Sequence, residues 1–229
     1  MKASQSLQVL PEYFAPLLPW QQGAWAQVTK QYQTAHLPHA LLAAGMAGVG
    51  KRAFVWRMVA YLLCHHKHSD GACGQCDSCT WLKAGTHPDV HLLPDEGAGS
   101  IKIDEIRALQ DVVHLKSTQA RVVVLDNAET LTLAAANALL KTLEEPSDGV
   151  YFVLISDSPT QLLPTIKSRV QTLPLLPIES ACAIEFVMTQ LAITHDKAML
   201  LLTLADFAPL VAVRIPHTSW FDKRALWLK

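Results

Sequence analysis

Short apolar runs recur along the first 175 residues, and longer stretches with helical spacing of apolar positions separate them. A strand buried on both faces of a parallel sheet is apolar along its length, whereas a covering helix is apolar on one face. The pattern therefore predicts an α/β domain with a parallel five-stranded sheet covered on both faces. The predicted strands are Ala40–Ala44, Asp89–Leu93, Arg121–Asp126, Val150–Ile155 and Val170–Leu173.

Four helices are predicted, one before the first strand and three between strands. Pro19 suits the first turn of a helix, and Trp25, Val28 and Tyr32 follow at spacings that place them on one face. Asp104 is a candidate N-cap for a later helix, because its carboxylate can accept from the first free amides. The predicted helices run from Pro19 to about Thr34, from Lys51 to about Cys64, from Asp104 to about Val113, and from Thr132 to about Leu143.

Beyond Pro177 the strand pattern stops. Three amphipathic segments follow, and we expect helices at Glu179–Ala192, Lys197–Phe207 and Trp220–Leu228. The chain is therefore predicted to have an α/β domain over residues 1–175 and a small all-α domain over residues 176–229.

Composition limits the function classes. Half of the 229 residues are hydrophobic, but no run approaches the roughly 20 apolar residues of a membrane span, and no apolar segment of a secretory signal follows Met1. The formal net charge of −1 argues against binding nucleic acid through bulk charge. Four of the five cysteines lie in one short stretch, which favours a reducing compartment. We expect a cytoplasmic protein without a membrane partner.

A glycine-rich turn follows the first predicted strand. Gly45, Gly48, Gly50 and Lys51 lie in the sequence Gly-Met-Ala-Gly-Val-Gly-Lys-Arg, which fits the spacing of a phosphate-binding P-loop. The residue after the lysine should be Ser or Thr, whose hydroxyl binds Mg²⁺, and here it is Arg52. The phosphate cradle is thus present without its metal ligand. Weak ATP or ADP binding and a turn kept only for packing both fit this sequence.

The second half of an ATPase site is also incomplete. Asp126 ends a predicted strand where a Mg²⁺-binding carboxylate belongs, but the next residue, where a general base is expected, is Asn127. Glu129 lies two residues further on and could substitute as the base, but on a tight turn we expect its side chain to point away from the site. Hydrolysis by this chain is predicted to be negligible.

The cysteines Cys64, Cys73, Cys76 and Cys79 have the spacing of a metal site. Four thiolates complete a tetrahedral Zn²⁺ shell with no open position for water, so the predicted role is structural. Adventitious cysteines or a redox pair are the alternative, and one of His65, His66 and His68 could replace a thiolate.

Three stretches carry a family resemblance. The run from Ala134 to Pro146, the pair Ser168-Arg169 and the segment Ala84–Asp89 resemble bacterial DNA polymerase III clamp-loader subunits. The resemblance covers about residues 20–175 and includes the cysteine insertion. It implies an AAA+ P-loop domain with a zinc knuckle over about residues 64–79, followed by a helical lid. Because the ATPase motifs are degraded, the chain looks like a non-hydrolysing subunit rather than the gamma/tau ATPase.

The same resemblance implies partners and a role for Arg169. The partners would be the gamma/tau ATPase subunits and the delta subunit, with the sliding clamp and primed DNA reached through the complex. In this family the motif Ser-Arg-Cys carries an arginine finger that acts on ATP in the neighbouring subunit, and here it is Ser168-Arg169-Val170. Ser156 and Asp157 match the position of a polar sensor of the γ-phosphate.

Two departures from the family leave alternatives open. The lid segment Ala205–Pro209 matches the family's second sensor motif poorly, and the family's helical collar domain is expected to be absent from this chain. A divergent but active gamma/tau-type ATPase is one rival, against which Arg52 and Asn127 argue. A DNA-binding zinc module is another, but the segment Cys73–Cys79 lacks the basic and aromatic residues that it would need.

Overall fold

The computed structural model describes residues 12–94, 99–113 and 120–218, and it contains a five-stranded parallel sheet. The predicted sheet is confirmed. The strand order is β2-β3-β4-β1-β5, so β1 lies between β4 and β5. The strands are β1 (Ala40–Ala44), β2 (Val90–Leu93), β3 (Arg121–Leu125), β4 (Val150–Ser156) and β5 (Gln171–Thr172).

The strand register brings three carboxyl ends together. Ala44 at the end of β1 pairs with Ser156 at the end of β4, and Leu125 at the end of β3 pairs with Leu154. Ligand sites of open parallel sheets lie outside the carboxyl ends of the strands, and here the loops after β1, β3 and β4 meet at that edge.

Helices cover both faces of the sheet. Along β3, Val122 and Val124 belong to one buried cluster, and Val123 and Leu125 belong to the other. The first cluster includes α1 and α2, and the second includes α4 and α5. The helices are α1 (Gln22–Gln33), α2 (Lys51–Leu63), α3 (Asp77–Ala84), α4 (Ile103–Val113), α5 (Leu133–Glu144) and α6 (Pro164–Lys167). Short 3-10 turns form at Pro19–Gln21, Ala128–Thr130 and Ile215–His217.

A third buried cluster forms in the small helical part of the chain, which we call the lid. The lid consists of α7 (Ser180–Leu191), α8 (His195–Leu204) and α9 (Pro209–Arg214). The helix α9 was not predicted, and the predicted helix Trp220–Leu228 lies outside the described residues. The proposed domain boundary between residues 175 and 176 stays a prediction.

The start of α4 differs from the expected N-cap. The N-cap role of Asp104 is wrong, because α4 begins at Ile103 and Asp104 lies inside its first turn. The amide of Lys102 instead donates to Glu105 (2.7 Å), which satisfies a backbone group at the helix start. Thr132 is the N-cap of α5 and accepts from the amide of Ala135.

Within the described ranges, no single helix is long and apolar enough to cross a membrane. The segments His195–Leu204 and Pro209–His217 reach that length and apolarity only together, across a 108° bend.

Candidate nucleotide site and cysteine centre

The glycine-rich turn has the backbone of a P-loop. It follows β1, and α2 begins at Lys51. Gly45, Gly48 and Gly50 all have positive φ angles of 139°, 84° and 87°, a region that side-chain-bearing residues rarely adopt. The predicted order of strand, turn and helix is therefore present.

Neighbouring segments cover this turn closely. A Cβ atom on Gly48 would lie 2.4 Å from Cγ2 of Val211 in the lid, and one on Gly45 would lie 2.3 Å from Cδ1 of Leu176. The amide of Leu210 donates to the carbonyl oxygen of Gly48 at 3.0 Å. The lid thus packs directly on the turn, and glycine at these positions permits the approach.

The segment before α1 also holds the turn. The indole Nε1 of Trp20 donates to the carbonyl oxygen of Val49 (3.0 Å), and Nε2 of Gln21 donates to that of Gly50 (2.9 Å). The ring of Trp20 packs edge-on against Phe186 in α7, with centroids 5.0 Å apart. Trp20 therefore links the turn to the lid.

The P-loop lysine binds its own loop. Lys51 is 2% exposed, and its Nζ donates to the carbonyl oxygens of Gly45 (2.6 Å) and Met46 (2.7 Å) and to Oδ1 of Asp157 (2.6 Å). An ammonium group has three N–H donors, so these three acceptors account for all of them.

Arg52 occupies the space between the strand ends. Its Nε donates to Oδ2 of Asp126 (2.9 Å), and Nη2 lies 2.8 Å from Oδ1 of the same residue. Nη1 donates to Oδ2 of Asp157 (2.9 Å), and Nη2 donates to Oδ1 of Asn127 (2.7 Å). The guanidinium thereby joins α2 to the ends of β3 and β4, and it uses the carboxylate expected to bind Mg²⁺.

The charges of this site balance within the chain. Burial opposes ionisation of Asp157, but hydrogen bonds from Lys51 and Arg52 outweigh it and lower the pKa of that carboxyl. Burial likewise lowers the pKa of Arg52, but Asp126 and Asp157 outweigh it and raise the pKa. Two cations thus face two carboxylates, and an entering triphosphate would have to displace these partners.

Glu129 lies beside Asp157 and also lines a neighbouring cavity. Its Oε1 accepts from the amide of Asp157 (3.1 Å), and its Oε2 is buried without a hydrogen-bond partner among the described residues. The side chain lines a cavity of about 230 Å³ together with Leu133, Leu163 and Ile166. None of the P-loop residues lines this cavity.

The four cysteines converge as a metal centre requires. The sulfurs of Cys64, Cys73, Cys76 and Cys79 all lie within 4.8 Å of one another. The Cys64–Cys76 and Cys73–Cys79 pairs are each 3.9 Å apart. A tetrahedron with Zn–S bonds of about 2.3 Å has sulfur–sulfur edges of about 3.8 Å, so the cluster could hold Zn²⁺.

Backbone amides support the thiolates of this centre. The amides of Gln75 and Cys76 donate to the sulfur of Cys73, and they lower the pKa of that thiol to about 6. The amide of Cys73 donates to the sulfur of Cys64 at 3.2 Å, although burial raises the pKa of the Cys64 thiol and that of the Cys79 thiol. A deprotonated cysteine is the form that binds metal.

His87 connects the cysteine centre to the segment that leads into β2, a contact that sequence reasoning missed. The hydroxyl of Ser78 donates to the carbonyl oxygen of Leu63 (2.9 Å), so it can accept from Nε2 of His87 (2.9 Å). The amide of Asp89 donates to Nδ1 of the same ring, which fixes a neutral tautomer. Burial lowers the pKa of His87, in agreement with that neutral form.

Arg169 lies at the chain's surface, and its hydrogen bonds among the described residues are to Glu144, Thr165 and Ser168 rather than to the P-loop. It follows α6 and donates from Nε to Oε1 of Glu144 (2.6 Å) and from Nη1 to the carbonyl oxygen of Thr165 (2.9 Å). Its side chain is one-third exposed. Glu144 is the last residue of α5, and sequence reasoning did not connect it to Arg169.

A sequence profile described as "DNA polymerase III, delta subunit" matches residues 20–179. The DNA polymerase III subunit delta' of Pseudomonas aeruginosa is 42% identical over 217 residues, which cover 92% of this chain and 65% of the relative. The chain belongs to the DNA polymerase III delta' family. The delta' subunit of Escherichia coli K12 is 33% identical over 200 residues, covering 86% of this chain and 60% of the relative.

The chain therefore spans slightly less than two thirds of the length of these delta' relatives. Among solved structures, the Thermotoga maritima RuvB Holliday junction branch migration motor superposes with a TM-score of 0.53 and 15% identity. That match covers 86% of this chain and 59% of the RuvB chain, and it supports the AAA+ fold alone.

Proposed function

We propose that this chain acts as a non-hydrolysing delta' subunit of a DNA polymerase III clamp loader. In that role it takes part in ATP-dependent loading of the sliding clamp onto primed DNA, within a complex that has DNA-directed DNA polymerase activity. The observation that carries the proposal is Arg52, whose guanidinium pairs with Asp126 and Asp157 at the strand ends.

Two catalytic components are replaced in this site. A guanidinium stands beside Asp126, where the magnesium ion of a P-loop ATPase would be held. Asn127 cannot accept a proton from water at neutral pH, and a general base is typically worth about 10²–10⁴ in rate. The remaining P-loop cation, Lys51, is held by two carbonyl oxygens and a carboxylate. Together these replacements favour a subunit that does not turn over ATP and binds ATP or ADP weakly or not at all.

The lid contacts suit a rigid subunit. The lid reaches the P-loop through Val211 and Leu210 of α9, and Phe186 of α7 packs against Trp20, which donates to the turn. Leu176, shortly before α7, also covers the turn. All of these contacts are made by the chain itself, so they need no bound nucleotide. We infer that the lid keeps one orientation while the ATPase subunits of the complex change theirs.

The cysteine centre fits a structural Zn²⁺ ion. Four thiolates leave no ligand position for a substrate, so the metal would stabilise the module formed by Cys64 and the segment 73–79. This module is fixed to the sheet by His87 and Ser78. The metal thus supports the fold and takes no part in ATP chemistry.

Arg169 is the residue that we assign to the ATPase reaction of the complex. An arginine supplied in trans stabilises the charge that develops on the transferred phosphoryl group, and it is worth about 10³–10⁵ in rate. Arg169 is partly exposed after a short helix, as a group that reaches a neighbouring gamma/tau subunit must be. The delta subunit, the clamp and primed DNA would be reached through the assembled ring.

Reconstitution with Arg169→Ala tests this function. The full-length protein, assembled with its ATPase and delta subunits, is expected to support DNA- and clamp-stimulated hydrolysis, and Arg169→Ala is expected to slow it without preventing assembly. Lys167→Ala removes a neighbouring cation from α6 and serves as the matched control. Unchanged ATP turnover with Arg169→Ala would contradict the role of Arg169 as an arginine finger.

A further inference from the structure

The ion pair between Arg169 and Glu144 suggests a second residue for the reaction in trans. Nε and Nη2 of Arg169 both face the carboxylate of Glu144, and Nη1 donates to the carbonyl oxygen of Thr165. Glu144 therefore holds one edge of the guanidinium, and the Thr165 carbonyl holds the opposite side. The direction of the guanidinium is set by two fixed points.

Stability alone does not account for this pair. The side chains of Glu144 and Arg169 are 48% and 33% exposed, and ion pairs at such exposure contribute little to folding. Glu144 also ends α5, where the carbonyl dipoles of a helix disfavour a carboxylate. A negative charge at this position is better explained by its effect on the orientation of the Arg169 guanidinium.

The helix that carries Glu144 is well anchored. Leu139 and Leu143 of α5 are buried in the second cluster, and Ile166 of α6 is buried in the same cluster. Glu144 and Thr165 thus hold Arg169 from two elements that share one core. An arginine on a surface loop otherwise samples many rotamers. Ordering it in the transition state would lower the rate of hydrolysis, because that conformational entropy is lost.

We propose that Glu144 is a positioning residue for Arg169, one that orients the guanidinium toward the triphosphate bound in the neighbouring subunit. This inference rests on the proposed function. A guanidinium has five N–H donors, and the contacts to Glu144, Thr165 and Ser168 use four of them. The remaining donor, on Nη2, lies at the far end of the side chain and is the one that we assign to a phosphate oxygen.

Glu144→Ala in the reconstituted complex tests the inference. Loss of the carboxylate is expected to lower kcat for stimulated ATP hydrolysis by about 10- to 100-fold, because a misplaced catalytic group loses that much, while KM for ATP is unchanged. Glu144→Gln keeps an oxygen that accepts from Nε, and its kcat is expected to lie between those of wild type and Glu144→Ala. Glu145→Ala removes the adjacent exposed carboxylate and is expected to have no effect on kcat.

The same substitutions in an Arg169→Ala background separate positioning from other effects. If Glu144 acts through Arg169, Glu144→Ala and Glu144→Gln lower kcat no further there. An equal loss in both backgrounds, an unchanged kcat, or a rise in kcat would overturn the positioning role. If Arg169→Ala itself has no effect, the proposed function fails first, so the two failures are distinguishable.

Discussion

Arg52 and Asp126 form a two-pronged ion pair, with Nε 2.9 Å from Oδ2 and Nη2 2.8 Å from Oδ1. The pair lies where a working P-loop ATPase holds a hydrated magnesium ion. This chain thus keeps the backbone of a P-loop while pairing the charges of the site internally. The polar residues of this site hydrogen-bond to one another, and we propose that they contribute to the fold rather than to phosphate binding.

Arg52→Ala should destabilise the chain, because Asp126 and Asp157 lose a charged hydrogen-bond donor. We expect a loss of about 1–3 kcal/mol in the free energy of unfolding, measured in urea. Arg52→Lys keeps the charge but not the planar pair of donors, so its free energy of unfolding should lie between those of wild type and Arg52→Ala. Arg107→Ala is the control, since Arg107 is two-thirds exposed with a weak pair to Asp104. A variant Arg52→Ala as stable as wild type would contradict this role.

Asp157→Asn tests the electrostatics through pH. The pKa of Asp157 lies below its ordinary value of 3.8, so its ion pairs stabilise the fold fully above that value and lose effect as the pH falls through the folded pKa. The gap in unfolding free energy between wild type and Asp157→Asn should be largest near neutral pH and shrink in acid. Asp148→Asn, an exposed carboxylate, is the control for loss of one charge. A gap that stays constant with pH would argue against the pairing with Lys51 and Arg52.

Gly48→Ala should loosen the contact between lid and P-loop. The added Cβ would meet Val211 at 2.4 Å, and the positive φ of Gly48 adds strain, so we expect a loss of about 1–3 kcal/mol in thermal or urea unfolding. Gly23→Ala is the matched control, because no atom lies within 4 Å of its new Cβ and it should stabilise α1 by up to about 1 kcal/mol. Equal effects of the two substitutions would show that the lid does not pack on the turn as described.

Metal content tests the cysteine centre. The purified protein should hold about one Zn²⁺ per chain, and Cys76→Ser should lower that content and the melting temperature, since it removes one of four ligands. Cys182→Ser changes a cysteine of the lid outside the cluster and should leave both unchanged. Unaltered zinc stoichiometry in Cys76→Ser would exclude the four-cysteine assignment.

The α/β part of the fold was predictable because its three central strands, β1, β3 and β4, are largely apolar. Arg121–Leu125 is buried on both faces, so its sequence alone indicates a central strand. The lid was harder to predict. The helix α8 ends at Leu204 because Asp206 and Phe207 have positive φ, and the six residues of α9 are too few to show a helical period.

The candidate site was only partly predictable for a different reason. The missing Mg²⁺ ligand and general base are visible at Arg52 and Asn127, because a motif fixes their spacing. Asp157, the partner of Arg52 directly after β4, is 105 positions away, and Glu144 is 25 positions from Arg169. Such contacts depend on the strand order and on helix packing, so local sequence patterns do not reveal them.

Mg²⁺-dependent ATP hydrolysis by the purified chain tests the central claim most directly. The account predicts no turnover above background for wild type, with nucleotide binding that is weak or absent in a parallel titration. The double variant Arg52→Thr with Asn127→Glu restores both missing groups. Its rate of ATP hydrolysis shows how far the rest of the site has diverged. Clear wild-type turnover that is abolished by Lys51→Ala would contradict the account and make the chain an ATPase of the gamma/tau type.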